Sequence, residues 1–170
     1  MPAFMHRVGK EWQAGLLTIA HEHLASAAVI AIVLEAMRSV PESPGAPRLL
    51  VATPASERHA VGAALAAAAA ALDGWSIVYL GVDVPSADIV TAAAASNARA
   101  VALSVVHTDV PDHVVRELHA VRAALAAKVL VIVGGAAAAR MADRITAPGL
   151  VVCESIGDMR AVLPRAMGAA

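Results

Sequence analysis

Aromatic residues are almost missing from this chain: its 170 residues include two Trp, one Tyr and one Phe. A core without large rings must be assembled from small aliphatic side chains, and alanine and valine dominate the sequence. That composition suits helices packed closely on a sheet. Cysteine occurs once, at Cys153, which excludes a disulfide framework within the chain and fits a cytoplasmic compartment. An excess of charge of one sign is also lacking. The net charge of −1, with no run of Lys or Arg, excludes a basic surface or tail for nucleic acid. Long apolar runs are missing too. The two most apolar stretches, Leu24–Leu34 and Ala60–Leu72, stop short of the roughly 20 residues that span a bilayer. Met1–Val8 carries His6 and Arg7 but leads into no apolar core, so no signal peptide and no membrane contact are expected.

Against that background the chain divides at Val40–Arg48, where Pro41, Pro44, Gly45 and Pro47 cluster. Such a composition predicts a linker at 41–48 between an N-terminal helical segment, 1–40, and a larger domain, 49–170. The N-terminal segment reads as one long helix, about Leu16 to Ser39, with Leu16, Ile19, Ala20, Leu24, Ala27, Ala28 and Ala31 at roughly helical spacing. Within it Ala28–Leu34 is apolar all round and is expected to be buried. Beyond the linker, strand and helix patterns alternate. Strands are expected at Leu49–Thr53, Ser76–Leu80, Ala100–Val105, Val129–Val133 and Leu150–Val152. Helices are expected at Val61–Leu72, Ser86–Ser96, Pro111–Ala126, Ala136–Ile145 and Ile156–Met167. Continuously apolar strands are buried on both faces, which requires a parallel sheet covered by helices. Five such units predict an α/β fold, a flavodoxin-like doubly wound five-stranded parallel sheet preceded by a short helical segment.

The chemistry concentrates where the first strand ends. Glu57-Arg58-His59-Ala60-Val61-Gly62 places an E-x-H-x-x-G pattern on the loop leading into the alanine-rich helix. In open α/β sheets ligands bind at that end of the strands. A carboxylate two residues from an imidazole can hold one ring nitrogen and leave the other for a metal. Gly62 lets the backbone approach a bulky ligand. A lone loop histidine is ordinarily of no consequence, and paired glycines are ordinarily a helix-entry turn. Ser104, with Val106 beside it, and Gly134-Gly135 end two further strands, and their joint placement makes a site.

This set resembles the cobalamin-binding domain of the methionine synthase and corrinoid-protein type. That family carries D/E-x-H-x-x-G, then S-x-L or S-x-V, then G-G, here Glu57/His59/Gly62, Ser104/Val106 and Gly134/Gly135. Tyr79-Leu80-Gly81-Val82-Asp83-Val84-Pro85 is similar to the family's loop after the second strand. The resemblance covers about Arg48 to the C-terminus. It implies that His59 displaces the dimethylbenzimidazole base and becomes the lower cobalt ligand. It implies also that Ser104, Val106, Gly134 and Gly135 line the pocket for the displaced nucleotide tail. Val106 stands where Leu is commoner.

The N-terminal segment adds a second resemblance. Trp12 is followed after nine residues by Glu22-His23. This spacing is similar to that of light-dependent cobalamin repressors of the CarH type, where the tryptophan and the Glu-His pair cover the upper, adenosyl face of the corrin. On one straight helix ten residues give about 15 Å of rise and about 280° of rotation, so Trp12 and Glu22 could not meet at one ligand. Gly15 offers a break that would put Trp12 on the loop before the helix. Indole stacking on an adenosyl or corrin surface would suit Trp12, and Glu22 could accept hydrogen bonds from ribose hydroxyls. The bland alternative makes Trp12 a hydrophobic staple and Glu22-His23 a solvated helix face. Gln13 departs from the family, whose light-sensing members carry a histidine there that takes the upper site after illumination. His21 or His23, after movement, or water could take its place. No helix-turn-helix pattern precedes the helical segment, so direct DNA binding is not expected, and the spare helix face would pack on the domain or on a second copy.

These resemblances imply a stand-alone adenosylcobalamin photosensor, a non-enzyme with His59 on cobalt and a downstream protein partner. Methylcobalamin and hydroxocobalamin are the other forms to consider. The alternative is a corrinoid carrier for methyl transfer or the cobalamin subunit of a mutase. A flavodoxin-like domain without cobalamin is the third class, against which stand the absence of a clustered acidic pocket and of a G-x-G-x-x-G fingerprint.

Overall fold

The computed structural model describes residues 7–8, 10–12, 14–107 and 112–167. Five strands form one sheet: β1 (Arg48–Pro54), β2 (Ser76–Val84), β3 (Ala100–Ser104), β4 (Leu130–Gly134) and β5 (Leu150–Val152). Their order is β2-β1-β3-β4-β5, and every neighbouring pair is parallel. The winding reverses between β1 and β3, so the carboxyl ends of those two strands flank the switch-point crevice.

Strand alternation builds two cores. Leu49, Val51, Ala100, Ala102 and Ile132 face one side, where α2 (Ala60–Leu72) and α6 (Ile156–Val162) cover them through Ala63, Ala67, Ala70, Met159 and Val162. Leu50, Ala52, Val101, Leu103, Val131 and Val133 face the other side, against α3 (Ser86–Ala95) and α4 (Asp112–Ala124) through Ile89, Val114, Leu118 and Val121. Full burial of each Leu or Val contributes about 1.5–3 kcal/mol. The alanines of α2 contribute less each, but they bring the helix close to the strands.

Several boundaries differ from expectation for identifiable reasons. β2 runs on to Val84, with register shifts against β1 between Val51 and Ala52 and between Ala52 and Pro54, near Gly81 at φ 88°. The helix expected at Ala136–Ile145 is only the turn α5 (Ala138–Met141), continued as a 3-10 turn over Ala142–Arg144; no side chain caps its start at Ala137. The helix expected at Ile156–Met167 stops at Val162 and tightens into a 3-10 turn over Leu163–Ala166. Pro164 has no N–H to continue the α-helical ladder. α4 ends at Ala124 because the buried Arg122 guanidinium takes the carbonyls of Leu125 and Ala126, at 2.7 and 2.9 Å.

The N-terminal helix α1 spans Ile19–Arg38, 20 residues, with Thr18 as N-cap in a capping box closed by His21. Its length and mean hydropathy of 1.5 reach those of a membrane-crossing helix, further than the run Leu24–Leu34 had implied, yet Val29 and Val33 pack on Ala64 of α2. The expected burial of Ala28–Leu34 fails on the other face, where Ala28 and Ala31 are exposed and Ile32 is 60 % exposed. α1 packs chiefly on α2, and a helix lying on one main neighbour buries one stripe.

Candidate functional site

Glu57 organises the mouth of the crevice. It is buried (2 % exposed) on the β1–α2 loop. Its Oε2 accepts the backbone N–H groups of Val106 and His107 at 2.8 and 2.9 Å, just beyond β3. Its Oε1 accepts the N–H of His59 at 3.0 Å and lies 2.5 Å from His59 Nδ1. Burial pushes the carboxyl up, but the N–H groups of His107, His59 and Val106, joined by the imidazole, outweigh it and hold the group below its ordinary value. A buried carboxylate thus grips one nitrogen of His59, while the His59 side chain is 55 % exposed. With Nδ1 engaged, Nε2 is the nitrogen left to a ligand. His107 stands by, its ring centroid 6.1 Å from that of His59.

No group of three or more His, Cys, Asp or Glu among the described residues could hold a metal ion alone.

Three residues on from His59, Gly62 borders a cavity of about 190 Å³ on the α2/α6 side of the sheet. Its floor is Val51, Ala102 and Ile132, and its rim carries Gly62, Gly134, Gly135, Cys153, Glu154 and Ser155. Ser104 also lines it, with a buried Oγ that has no hydrogen-bond partner. A Cβ at Gly62 would sit 2.9 Å from that Oγ, and one at Gly135, where φ is 108°, would sit 2.3 Å from the carbonyl oxygen of Val105. The glycines keep the cavity open and let its walls approach. Sequence reading found Ser104 and the glycines but missed Cys153, Glu154 and Ser155; their only signal was a place directly after the last strand.

The N-terminal residues are less tightly gathered. Glu22 bonds Ser26 Oγ at 2.7 Å and His23 Nδ1 at 2.6 Å. Ser26 and His23 hold its carboxyl below the ordinary value, and the field of His59 adds to this, so Glu22 lies within electrostatic reach of that imidazole. His21 is committed to capping Thr18. Trp12 is helical rather than on a loop, and the chain turns at Gly15 with φ 73°. It is 42 % exposed, and no hydrogen bond or ring contact among the described residues ties it to Glu22 or His59. Gln13 lies outside the described residues.

A B12 binding domain model matches residues 47–163, the whole α/β unit, and a second model of the same description matches residues 2–35. The chain belongs to the B12 binding domain family. Cobalamin is accordingly its ligand. A curated relative, the HTH-type transcriptional repressor CarA of Myxococcus xanthus, is 31 % identical over 147 residues, which is 86 % of this chain. The chain spans half the length of that relative, whose name describes a regulator rather than an enzyme. Among solved structures, a cobalamin-binding protein from Desulfitobacterium hafniense aligns with a TM-score of 0.61 at 22 % identity, over 96 % of this chain and 78 % of that one. The monomethylamine corrinoid protein of Methanosarcina barkeri aligns with a TM-score of 0.68 at 20 % identity, over 94 % and 76 %. The methanol:cobalamin methyltransferase complex of the same organism gives 0.60 at 16 % identity, over 96 % and 64 %. At such identities these neighbours establish the shared fold of the B12 binding domain.

Proposed function

We propose that this B12 binding domain is an adenosylcobalamin-dependent light sensor in which His59 Nε2 is the lower cobalt ligand. The observation that carries the ligand assignment is the grip of buried Glu57 on His59 Nδ1 at 2.5 Å beside an otherwise ligand-poor surface. A lone imidazole suits a cofactor that supplies the rest of the metal's coordination. The orphaned Ser104 Oγ and the glycine-lined cavity suit a polar nucleotide tail, which would give that hydroxyl its missing partner. Ser104, Gly134 and Gly135 would line the tail pocket and Gly62 would keep it open, while Val106, expected there too, is not among the residues lining the cavity.

When bound, adenosylcobalamin supplies a cobalt–carbon bond that light breaks with loss of the adenosyl group. The sensor reading draws on the light-dependent repressor type that the Trp12…Glu22-His23 spacing resembles, and on the CarA relative. Trp12, with Gln13 next to it and Glu22-His23 on α1, would form the upper cover. Contacts that exist only with the adenosyl group in place are what can bias the position of α1. The partner that reads this bias would be another protein.

Reconstitution in the dark followed by green light tests the reading. The dark protein should show an imidazole-ligated spectrum that changes on illumination, and His59→Ala should lose that ligated form. A spectrum that light leaves unchanged removes the sensor, and a His59→Ala spectrum equal to wild type removes the ligand. Preferential retention of methylcobalamin, with a methyltransferase co-purifying, would instead establish a corrinoid carrier.

A further inference from the structure

We infer that Asp83 and Thr53 are positioning residues for His59, locking the loop that carries it to the end of β2. The inference rests on His59 being the cobalt ligand. The Glu57 side chain fixes the imidazole's nitrogen and the N–H of His59 itself, but it leaves the loop backbone at Ser56 and the Glu57 carbonyl without a partner on that side. The backbone is held from the opposite side.

Ser56 and Asp83 both adopt left-handed backbone conformations, with φ of 71° and 59°. Asp tolerates that region better than most residues, and Ser less well. Such conformations persist where the surroundings over-determine them. Here Asp83 Oδ1 accepts the N–H of Ser56 at 2.7 Å. The N–H of Asp83 donates to Thr53 Oγ1 at 2.9 Å and reaches the carbonyl of Glu57 at 3.0 Å. The Thr53 hydroxyl, fully buried, in turn donates to that same Glu57 carbonyl. Arg58 Nε lies 3.3 Å from Asp83 Oδ2 on the outside.

The register explains how Asp83 comes within reach. Arg48 stands opposite Ser76, but Pro54 stands opposite Val84, so β2 takes in two extra residues along the same stretch. Those extra residues bulge near Gly81 and carry Asp83 alongside Ser56. The ligand loop is therefore clamped from both neighbours of β1. Its buried carboxylate is held from beyond the β3 end, and its backbone is held by Asp83 near the β2 end, with Thr53 of β1 bridging the two.

The test compares Asp83→Ala with Asp83→Asn in the protein without and with adenosylcobalamin. In the cofactor-free protein, amide hydrogen exchange at Ser56 and His59 should rise by about tenfold in Asp83→Ala. In Asp83→Asn it should stay near wild type, because Asn keeps the Oδ1 acceptor and tolerates the left-handed region. In the loaded protein, Asp83→Ala should lose part of the imidazole-ligated absorption, and Asp83→Asn should keep it. Unchanged exchange and an unchanged spectrum in Asp83→Ala overturn the lock. Equal spectra for wild type and His59→Ala overturn the ligand reading instead, and the exchange data still decide on the lock. Should Asp83→Ala not fold, Thr53→Val against Thr53→Ser carries the same comparison: the valine variant is expected to loosen the loop and the serine variant to hold it.

Discussion

At the scale of single residues, Gly62 and Gly135 do different work, and mutation should separate them. Gly62 sits in the first turns of α2, where alanine is favoured over glycine by roughly 0.5–1 kcal/mol. The added Cβ would press on Ser104 Oγ at 2.9 Å, with Val106 Cγ2 at an ordinary 3.8 Å, and that hydroxyl forms no bond that would hold it in place. Gly62→Ala should therefore leave thermal stability unchanged or raise it slightly while lowering cobalamin retention, because the displaced hydroxyl intrudes on the cavity. Gly135 has no such freedom. At φ 108°, with a Cβ position 2.3 Å from the Val105 carbonyl oxygen, Gly135→Ala should cost at least about 1–3 kcal/mol. Chemical denaturation beside a cobalamin-retention assay reads both, and a Gly62→Ala protein that is both stable and fully retentive would refute the tail-pocket role. Glu57, His59 and Gly62 were legible in the sequence because one short motif carries all three. The grip of Glu57 on Val106 and His107 was not, since those N–H groups lie 49 and 50 residues away and only the sheet order brings them together.

At the scale of elements, strands were easier to read than helix ends. Their continuous apolar runs fixed the number and parallel sense of the strands, whereas the ends of α4 and α6 depend on Arg122 and Pro164, which override a favourable helical pattern. One long-range tie between elements was invisible in the sequence. Asp73, at the end of α2, takes two hydrogen bonds from Arg160 of α6, at 2.7 and 2.5 Å, across 87 residues. The Arg160 guanidinium holds the Asp73 carboxyl below its ordinary value of 3.8. A carboxyl lowered on folding stabilises the fold above its unfolded value, and that contribution disappears as pH falls through the folded value. Asp73→Asn should therefore melt slightly below wild type at pH 7, the gap being small because the pair is near the surface. The gap should close at pH values below the ordinary 3.8. Melting curves of both proteins at pH 7 and in that acid range check this, and a gap that widens in acid would contradict the assignment.

At the scale of the whole molecule, the sheet and α1 differ in how firmly they are held. β1, β3 and β4 are enclosed on both faces, whereas α1 is buried only at Val29 and Val33 and exposes Ile19, Leu24 and Ile32. Opening free energy follows buried apolar contact, so α1 should open far more easily than the sheet. In the cofactor-free protein its amides should exchange at least about a hundredfold faster than those of β1 and β3, equivalent to a difference of about 2.8 kcal/mol in opening free energy. Glu22 stands in the first turn of α1. If Trp12 and Glu22 cover the adenosyl group, loading in the dark should slow exchange through the first turns of α1, and light should restore it. Trp12→Ala should abolish that slowing while leaving the protection of the His59 loop, because the lower side of the site does not involve the indole. Exchange in α1 that is the same with and without cofactor, in dark and light, would leave the B12 binding domain with a ligand but no moving part, and the carrier reading would then account better for an uncovered upper face.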